Sequence, residues 1–478
     1  MPKERLFRKR TKIVCTIGPA TSSPALIERL IRAGADILRL NLSHGSYHEH
    51  ATHVQAIRHI AGRLGKQVAI LIDVPGPKYR TGKLRGGQAA LRKGRRLVLT
   101  TRQVEGDATI VPVNLPYLPE DAKRGDTILL DDGAMELRVL EIDGPDVICR
   151  VVVGGNLTDG RGLVIPGMES SRPFVTDALR ATIAFATTQE PDYIALSFVT
   201  HPEDIRSSKE LIRDAGIDTP VVAKIERGQA VRNFDAILDA SDSIMVARGD
   251  LGVDIPLEQL PIVQKDIIRK TNRAGKPVIT ATEMLESMVG SVRPTRAEVT
   301  DVANAIFDGT DATMLSAETS VGKYPVQAVR MMARVARAAE ANLPYRELLT
   351  ERSSWLRYET DELISYNACH TAQSLRAAAI VAFTQSGSTG GRVSKYRPSV
   401  PVLAISPSAR VCRRLLLRWG IYPYQIAEPS SVDDLFATGL RLAQEHGLAK
   451  SGDVVVITGG LPIGMAGSTN LLKVQDVP

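Results

Sequence analysis

The 478-residue chain has few cysteines, few aromatic residues and no long apolar run. Aromatic residues make up 4% of it, so any large core must be mainly aliphatic. The four cysteines are scattered without a CxxC pair, which favours free thiols in a reducing compartment over a disulfide or zinc framework. No segment reaches the roughly 18 consecutive apolar residues of a membrane span, and no apolar run of signal-peptide length follows the first residue. We therefore expect a cytoplasmic protein without a membrane partner.

Basic residues outnumber acidic ones by seven, and many of them lie in the first twelve residues. A basic tail of this kind either binds nucleic acid or is simply solvated. Two further basic clusters, at residues 92–96 and 413–418, lack the interleaved aromatic residues of an RNA-binding pattern. We expect no nucleic-acid partner, and we note that a positive balance also suits anionic substrates such as phosphates.

Short apolar strands alternate with helical stretches in two parts of the chain, residues 11–74 and 172–341. The predicted strands are residues 11–17, 37–40, 68–73, 193–198, 221–225, 243–247, 277–281 and 312–315. Eight strand–helix units predict an α/β fold, the TIM (β/α)₈ barrel, with its chemistry at the carboxyl ends of the strands. The alternative, an open doubly wound sheet, usually has fewer units and a Gly-rich dinucleotide turn, which this sequence lacks.

Three other segments complete the predicted domain organisation. Residues 1–10 form a basic tail. Residues 75–171 contain no helical pattern, only short β-rich runs separated by turn pairs such as Asp132-Gly133, which predicts a β-rich domain inserted after the third barrel strand. From residue 342 to residue 478 a second α/β pattern predicts a separate C-terminal domain.

Polar residues end most of the predicted barrel strands. One such ending means little, because polar residues also cap helices. Six endings at the same rim indicate a functional site. They lie at residues 39–44, 73, 224–226, 248–250, 280–283 and 316–318.

Lys224 and Glu226 are two residues apart, so their side chains face the same side of a strand. They are either a structural ion pair or part of a metal site, which needs the second carboxylate that Asp250 supplies from the next strand. Two carboxylates with water and substrate oxygens are typical of Mg²⁺, whereas the His and Cys spacings of zinc sites are absent. Lys224 beside such a metal would neutralise phosphoryl charge. No GxxxxGK[ST] string is present, so a P-loop does not hold any nucleotide.

Several strings taken together resemble the pyruvate kinase family. They are residues 11–19 (TKIVCTIGP), 39–45 (RLNLSHG), 222–226 (VAKIE), 244–252 (IMVARGDLG), 284–288 (MLESM), 294–298 (PTRAE), 301–308 (DVANAIFD) and 314–319 (MLSAET). The resemblance covers nearly the whole chain. It implies a glycolytic enzyme that transfers the phosphoryl group of phosphoenolpyruvate to ADP, giving pyruvate and ATP. It also implies that the insertion is a small β-barrel lid and the C-terminal domain regulatory.

The resemblance further implies roles for individual residues. Glu226 and Asp250 would ligate Mg²⁺, or Mn²⁺ in its place. Lys224 and Arg39 would hold the transferred phosphoryl group from two sides. The substrate carboxylate would be held by Ala247, Arg248, Gly249 and Thr282. A proton would be delivered through Thr282 and Ser316. The nucleotide would contact Asn41, His44 and Arg80.

The sequence departs from the family pattern at three positions. Lys78 stands where many members have glutamate, and a tethered ammonium can replace a mobile cation, so we expect that K⁺ is not required; a merely solvated lysine is the alternative. Ala178 stands where a nucleotide-side lysine is usual, with Arg172 or Arg180 as substitutes, and Glu283 replaces glutamine near the metal. The region of the monovalent cation, or of its replacement, comprises Asn41, Ser43, Asp73, Val74 and Lys78.

The C-terminal domain has a Gly- and hydroxyl-rich loop between a strand and a helix. Its residues are Thr384, Gln385, Ser386, Gly387, Ser388 and Thr389. Such a loop is either an ordinary capped turn or a nest for an anion. In the family it holds the phosphate of an effector, so we expect activation by a sugar phosphate or nucleotide. The family also implies a homotetramer.

Two other functions remain open from the sequence. One is an aldolase-like lyase that acts on phosphoenolpyruvate or pyruvate with Mg²⁺. The other is a metabolite sensor without catalytic activity. Such a sensor would not need Thr282 as a proton-delivery group.

Overall fold

A computed structural model describes residues 9–168, 173–462 and 467–478. Its central feature is a closed barrel of eight parallel strands, which confirms the predicted TIM barrel. The eight strands are Lys12–Ile17, Ile37–Asn41, Ala69–Val74, Tyr193–Leu196, Val221–Ile225, Ser243–Ala247, Val278–Ala281 and Ala312–Leu315. The barrel closes where the eighth strand pairs with the first, at Ala312 and Lys12.

Amphipathic helices surround the barrel. The first of them begins after Ser23, whose side chain accepts a hydrogen bond from the Leu26 amide, and it ends at Gly34, where φ is 121°. Its buried residues pack on the strands, as those of the other helices do. The barrel helices are Pro24–Ala33, Tyr47–Leu64, Asp177–Thr188, Pro202–Asp214, Gly228–Arg232, Phe234–Ala240, Arg248–Asp254, Leu260–Arg273, Arg296–Phe307, Ala317–Ser320 and Pro325–Ala341.

The insertion has a hydrophobic core of its own. Seven strands form one sheet, and a bridge between Thr81 and Val113 joins its two edges, so the sheet curls into the expected small β-barrel. The strands of this sheet are Tyr79–Arg80, Arg96–Thr100, Ile110–Pro112, Thr127–Leu130, Met135–Asp143, Asp146–Val153 and Gly162–Val164. Gln88–Leu91 and Gly155–Thr158 form a separate pair, and one short helix, Leu118–Asp121, was not predicted.

The C-terminal domain is a five-stranded sheet with helices on both sides. In spatial order its strands are Ile421–Gln425, Val402–Ser406, Ala379–Phe383, Val454–Gly459 and Leu471–Asp476. Only the last strand runs antiparallel. The helices are Tyr345–Arg352, Thr360–Ser374, Ser388–Lys395, Ala409–Leu415 and Val432–Glu445.

Two leucines of the C-terminal domain close the amino-terminal end of the barrel. Leu416 and Leu417 belong to the same buried cluster as the inward-facing barrel residues Val14, Leu71 and Met245. The other end of the barrel, where the strands finish, faces the insertion. Within the described residues, no helix has the length and apolar character needed to cross a bilayer.

Candidate active site

A cavity of about 400 Å³ lies between the carboxyl ends of the barrel strands and the insertion. Its walls bring together polar residues from the endings of five strands. The lining residues are Arg39, Asn41, Leu42, Ser43, His44, Pro75, Gly76, Lys78, Arg80, Asn114, Ser197, Phe198, Lys224, Glu226 and Asp250.

Lys224 lies at the centre of a buried polar network on the wall of this cavity. Its Nζ is 2.9 Å from Glu226 Oε1 and 3.3 Å from Asp73 Oδ1, and it donates to Ser197 Oγ at 2.7 Å. Arg39 pairs with the other oxygen of Asp73 at 2.7 Å. Lys224 and Glu226 therefore form an ion pair, one of the two alternatives, and both line the same cavity as Asp250.

The charges of this network support one another. Burial disfavours a charged Asp73, but Lys224 and Arg39 outweigh it and lower the pKa of the Asp73 carboxyl. Burial likewise disfavours a charged Lys224, yet Asp73 and Glu226 raise the pKa of its ammonium above the ordinary value. Lys224 is therefore a permanent cation at neutral pH.

Glu226 and Asp250 are the two carboxylates predicted to ligate a metal. Burial raises the pKa of the Glu226 carboxyl; the Lys224 ammonium opposes this shift, and the negative charge of Asp250 adds to it. Glu226 Oε2 also accepts a hydrogen bond from the Phe198 amide at 2.6 Å. Two carboxylate oxygen donors are a donor set that suits Mg²⁺.

Lys78 reaches from the start of the insertion to Asp250. Its Nζ lies 2.5 Å from Asp250 Oδ1 and 5.7 Å from the centroid of the Phe198 ring. Among the described residues, no hydrogen bond or ion pair joins Lys78 to Asn41, Ser43 or Asp73, which belong to the predicted region of the monovalent cation. The ammonium therefore neutralises a predicted metal ligand.

A second part of the site follows the sixth and seventh strands. The Gly249 amide donates to Thr282 Oγ1 at 2.8 Å, so these two predicted residues adjoin. Arg248 Nη1 donates to both carboxylate oxygens of Asp301, at 2.7 and 2.8 Å, and Nη2 donates to the Thr282 carbonyl. Its guanidinium is therefore held in place by the protein. Ala247, which precedes Arg248, is buried at the end of its strand.

Ser316 follows the eighth strand and is half-buried, with its hydroxyl oxygen hidden from solvent. Its amide donates to Glu318 Oε2 at 2.7 Å, whereas its hydroxyl has no hydrogen-bond partner among the described residues. Burial raises the pKa of the Glu318 carboxyl despite its backbone hydrogen bonds. Ser316 thus has a free hydroxyl next to a buried acid.

The predicted nucleotide-side residues line the outer part of the cavity. Asn41 accepts from the Ser43 amide through its side chain, and His44 is exposed. Arg80 donates to the Gly160 carbonyl at 3.1 Å, while its amide donates to Asn114 Oδ1. Several polar groups are therefore available on the side where the insertion meets the barrel.

Two positions that depart from the family pattern, Ala178 and Glu283, are exposed. Ala178 is exposed in the first turn of Asp177–Thr188, and Arg180 is exposed two residues later. Arg172, the other predicted substitute, lies outside the described residues. Glu283 is exposed and does not line the cavity; burial, Glu318 and Glu283 together raise the pKa of Glu286.

Ser197, Phe198 and Asn114 line the cavity but were not predicted. The strand expected to reach residue 198 ends at Leu196, and Phe198 has a left-handed φ of 60°. This turn directs the Ser197 hydroxyl to Asp73 and Lys224. The sequence contained a signal, a polar residue after an apolar strand, but a single serine is too common to be diagnostic.

The hydroxyl-rich loop of the C-terminal domain borders a separate, smaller cavity of about 50 Å³. Thr384, Gln385, Ser388 and Thr389 line it. Gly387, with φ of 93°, begins the helix Ser388–Lys395, and its amide donates to Thr384 Oγ1 at 2.8 Å.

Comparison with known proteins gives a consistent result over nearly the whole chain. The family model described as pyruvate kinase, barrel domain, matches residues 8–329, and pyruvate kinase, alpha/beta domain, matches residues 362–475. Pyruvate kinase 2 of Synechocystis is 46% identical over 473 residues, which are 98% of this chain and 79% of the relative. Pyruvate kinase of Clostridium acetobutylicum is 41% identical, covering 98% of this chain and 100% of the relative. A solved pyruvate kinase from Cryptosporidium parvum superposes with a TM-score of 0.93 at 37% identity, covering 98% of this chain and 97% of that one.

Proposed function

The chain belongs to the pyruvate kinase family and is an enzyme with pyruvate kinase activity, and we propose that it uses Mg²⁺, needs no K⁺ and is activated by a phosphorylated metabolite. In this proposal it transfers the phosphoryl group of phosphoenolpyruvate to ADP. The single observation that carries the proposal is the common cavity of Lys224, Glu226 and Asp250. A lyase and a sensor are less well supported, because neither needs this lid-covered group of charges.

The metal site consists of Glu226 and Asp250. When bound, the ion would act as a Lewis acid that neutralises the negative charge of the phosphoryl oxygens. Mg²⁺ keeps several waters and usually takes one or two protein carboxylates, so this donor set fits it, and Mn²⁺ accepts the same ligands.

Lys224 and Arg39 hold the phosphoryl group during transfer. Both are fixed on Asp73, at 3.3 and 2.7 Å, so their charges need no reorganisation when negative charge moves from the enolate oxygen to the nucleotide. The bond from phosphorus to the enolate oxygen breaks as the bond to a terminal ADP oxygen forms. Asn41, His44 and Arg80 contact the nucleotide in this scheme.

The enolate left by the transfer must take a proton at its methylene carbon to become pyruvate. Gly249, with Ala247, Arg248 and Thr282, orients the substrate carboxylate in this scheme. The hydroxyls of Thr282 and Ser316 pass the proton, and the buried Ser316 hydroxyl, which lacks a partner among the described residues, is available for a substrate or water contact. Protonation makes the overall reaction favourable, because the free enolate is high in energy.

Independence from K⁺ follows from Lys78 in this proposal. The Lys78 ammonium, 2.5 Å from Asp250, supplies a tethered positive charge beside the metal ligands. We expect equal activity in KCl and in a tetramethylammonium salt. Lys78→Glu should make the rate at least about tenfold dependent on K⁺, and Lys83→Glu, an exposed control on the insertion, should not. A strict K⁺ requirement of the unaltered enzyme in steady-state assays would refute this part of the proposal.

Activation requires an anion at residues 384–389. Gly387 caps the N-terminus of the helix Ser388–Lys395, and Thr384, Ser388 and Thr389 offer hydroxyls to a phosphate. Ser386→Asp should abolish activation by sugar phosphates and nucleotides through charge repulsion, while the exposed control Ser451→Asp should retain it. Unchanged activation of the Ser386 variant by every phosphorylated metabolite would contradict the assignment.

The proposal also includes a homotetrameric assembly and a cytoplasmic location. Leu257 and Ile262, on neighbouring barrel elements, are 70% and 68% exposed, and such apolar side chains support contact with other subunits of a homotetramer. The four buried free cysteines support a reducing cytoplasm.

A further inference from the structure

A buried histidine lies directly behind the loop of residues 43–46, which includes the predicted nucleotide contact His44. His50 is 7% exposed, whereas all of residues 43–49 are exposed. It belongs to the first turn of the helix Tyr47–Leu64, which follows the loop. His50 does not line the active-site cavity, and none of the proposed catalytic or regulatory roles uses it.

The His50 ring holds this loop by its backbone. Its Nε2 lies 2.7 Å from the His44 carbonyl oxygen. A carbonyl oxygen only accepts hydrogen bonds, so Nε2 carries the hydrogen and donates it. His50 thus fixes the peptide group between His44 and Gly45, next to the side chain that is predicted to contact the nucleotide.

The other contacts of the loop leave this carbonyl to His50. On one side, the amides of Ser43 and His44 donate to the side chain and the carbonyl of Asn41, at 3.2 and 3.3 Å. On the other side, Ser46 is bound in the capping box of the helix. Among the described residues, the His44 carbonyl accepts a hydrogen bond from His50 alone. The middle of the loop therefore depends on this one donor.

The loop backbone also packs closely on the ring. Gly45 has φ of 76°, in the left-handed region that favours glycine. A β-carbon at this position would lie 3.4 Å from His50 Nε2 and 3.3 Å from Glu49 Oε2. The turn at Gly45 therefore fits against the ring, and a change of the ring would release the turn.

Stability does not explain a histidine at this position. Its second ring nitrogen, Nδ1, is buried and has no hydrogen-bond partner among the described residues. An unsatisfied buried polar atom costs about as much free energy as one hydrogen bond contributes, so an apolar side chain would serve the fold equally well. What an apolar side chain cannot supply is the donor to the His44 carbonyl.

We propose that His50 is a positioning residue for the nucleotide, because its Nε2 holds the His44 carbonyl and thereby presets the loop that contacts ADP. This inference rests on the proposed function, in which His44 contacts the nucleotide. A loop that is already held in its bound shape need not be ordered when ADP binds, so ordering does not weaken the affinity. The effect is confined to the nucleotide, because Lys224 and Thr282, which are proposed to bind phosphoenolpyruvate, follow other strands.

Three substitutions of His50 separate the donor from the ring. The terminal amide of glutamine reaches the position of Nε2, that of asparagine reaches only the position of Nδ1, and leucine has no donor. His50→Gln should keep the KM for ADP within about threefold of the unaltered enzyme, whereas His50→Asn and His50→Leu should raise it about tenfold. The kcat and the KM for phosphoenolpyruvate should stay within about twofold in all three. His59→Leu, at an exposed position of the same helix, is the control and should change none of these constants.

A double-mutant cycle tests the route through His44. His44→Ala alone should raise the KM for ADP, and adding His50→Leu should raise it little further, because the two changes remove one arrangement. Thermal unfolding is measured for each variant. The unfolding temperature of His50→Leu should stay close to that of the unaltered enzyme, because the unsatisfied Nδ1 is removed together with the hydrogen bond.

The inference fails where His50→Leu leaves the KM for ADP unchanged while His44→Ala raises it; the nucleotide contact of the proposed function then stands. An unchanged KM in both variants contradicts that contact and the inference together. Equal KM values for His50→Gln and His50→Leu, parallel increases for both substrates, or additive effects of His44→Ala and His50→Leu would also overturn the inference. Should His50→Leu not fold, the comparison of His50→Gln with His50→Asn decides the question.

Discussion

Lys224 illustrates how a buried cation is kept charged. Asp73 and Glu226 raise the pKa of its ammonium, and Ser197 fixes its position with a hydrogen bond of 2.7 Å. Arg39 on the other side of Asp73 keeps that carboxylate ionised. The group is therefore preorganised: the charges that would meet a phosphoryl group are already held in place before any substrate arrives.

We predict that Lys224→Met lowers kcat by roughly 10²–10³-fold, because one preorganised charge on the transferring group is lost. The KM for phosphoenolpyruvate should change much less. Lys209→Met, which removes a surface lysine paired with Asp242, is the matched control and should leave both constants unchanged. Steady-state kinetics of the two variants is the measurement, and a Lys224 variant within a few-fold of the unaltered enzyme would contradict the role.

The pH dependence follows from the same shift. Because the pKa of Lys224 is raised above its ordinary value of 10.5, its charge is fully present at neutral pH and is lost only above that value. We predict that kcat has no alkaline limb attributable to Lys224 between about pH 7 and pH 9. A limb in that range that disappears in Lys224→Arg would contradict this.

At the scale of elements, the turn after the seventh barrel strand is unusual. Thr282 and Glu283 both have left-handed φ values, 67° and 53°, which are rare for non-glycine residues and rarer still for a β-branched one. The Gly249 amide and the Arg248 guanidinium hold Thr282 from the neighbouring strand ending. Such strain persists only where the surrounding structure enforces it, and it is concentrated at functional sites.

We predict that the hydroxyl of Thr282, rather than its shape, matters for the reaction. Thr282→Ser retains the hydroxyl and should keep kcat within a few-fold, whereas Thr282→Val retains the branched shape and should lower kcat by roughly 10²-fold if the hydroxyl delivers a proton. Both variants are compared with steady-state kinetics, and thermal unfolding checks that each is folded. Equal kcat values for Ser and Val would exclude the hydroxyl from the proton path.

At the scale of the whole molecule, the barrel and the C-terminal domain are joined by buried polar contacts. Asp311, just before the eighth strand, pairs with Arg397 at 2.8 Å and accepts from the Trp419 amide. Its other oxygen accepts from the Val278 amide within the barrel. Leu416 and Leu417 close the barrel floor beside this junction. The two domains thus share one buried interior.

We predict that Asp311→Asn destabilises the protein by about 3 kcal/mol, because it leaves the buried Arg397 charge without its partner. Asp218→Asn, at an exposed ion pair with Arg414 across the same junction, should cost at most about 1 kcal/mol. The change in free energy of unfolding is measured by urea denaturation. Similar small values for both variants would mean that the junction does not depend on this pair.

The sequence by itself determined the eight strands, the β-rich insertion, the family and the polar strand endings. These depend on periodicity and residue type, which are local properties that a sequence displays directly. The tertiary structure decided which of those polar groups touch. It paired Lys78 with Asp250, 172 positions away in the chain, and it brought Lys12 of the first barrel strand to the Ile421 carbonyl of the C-terminal domain. Ser197 and Asn114 joined the site only through folding, because contacts between distant segments depend on how whole elements pack, and no local pattern encodes that.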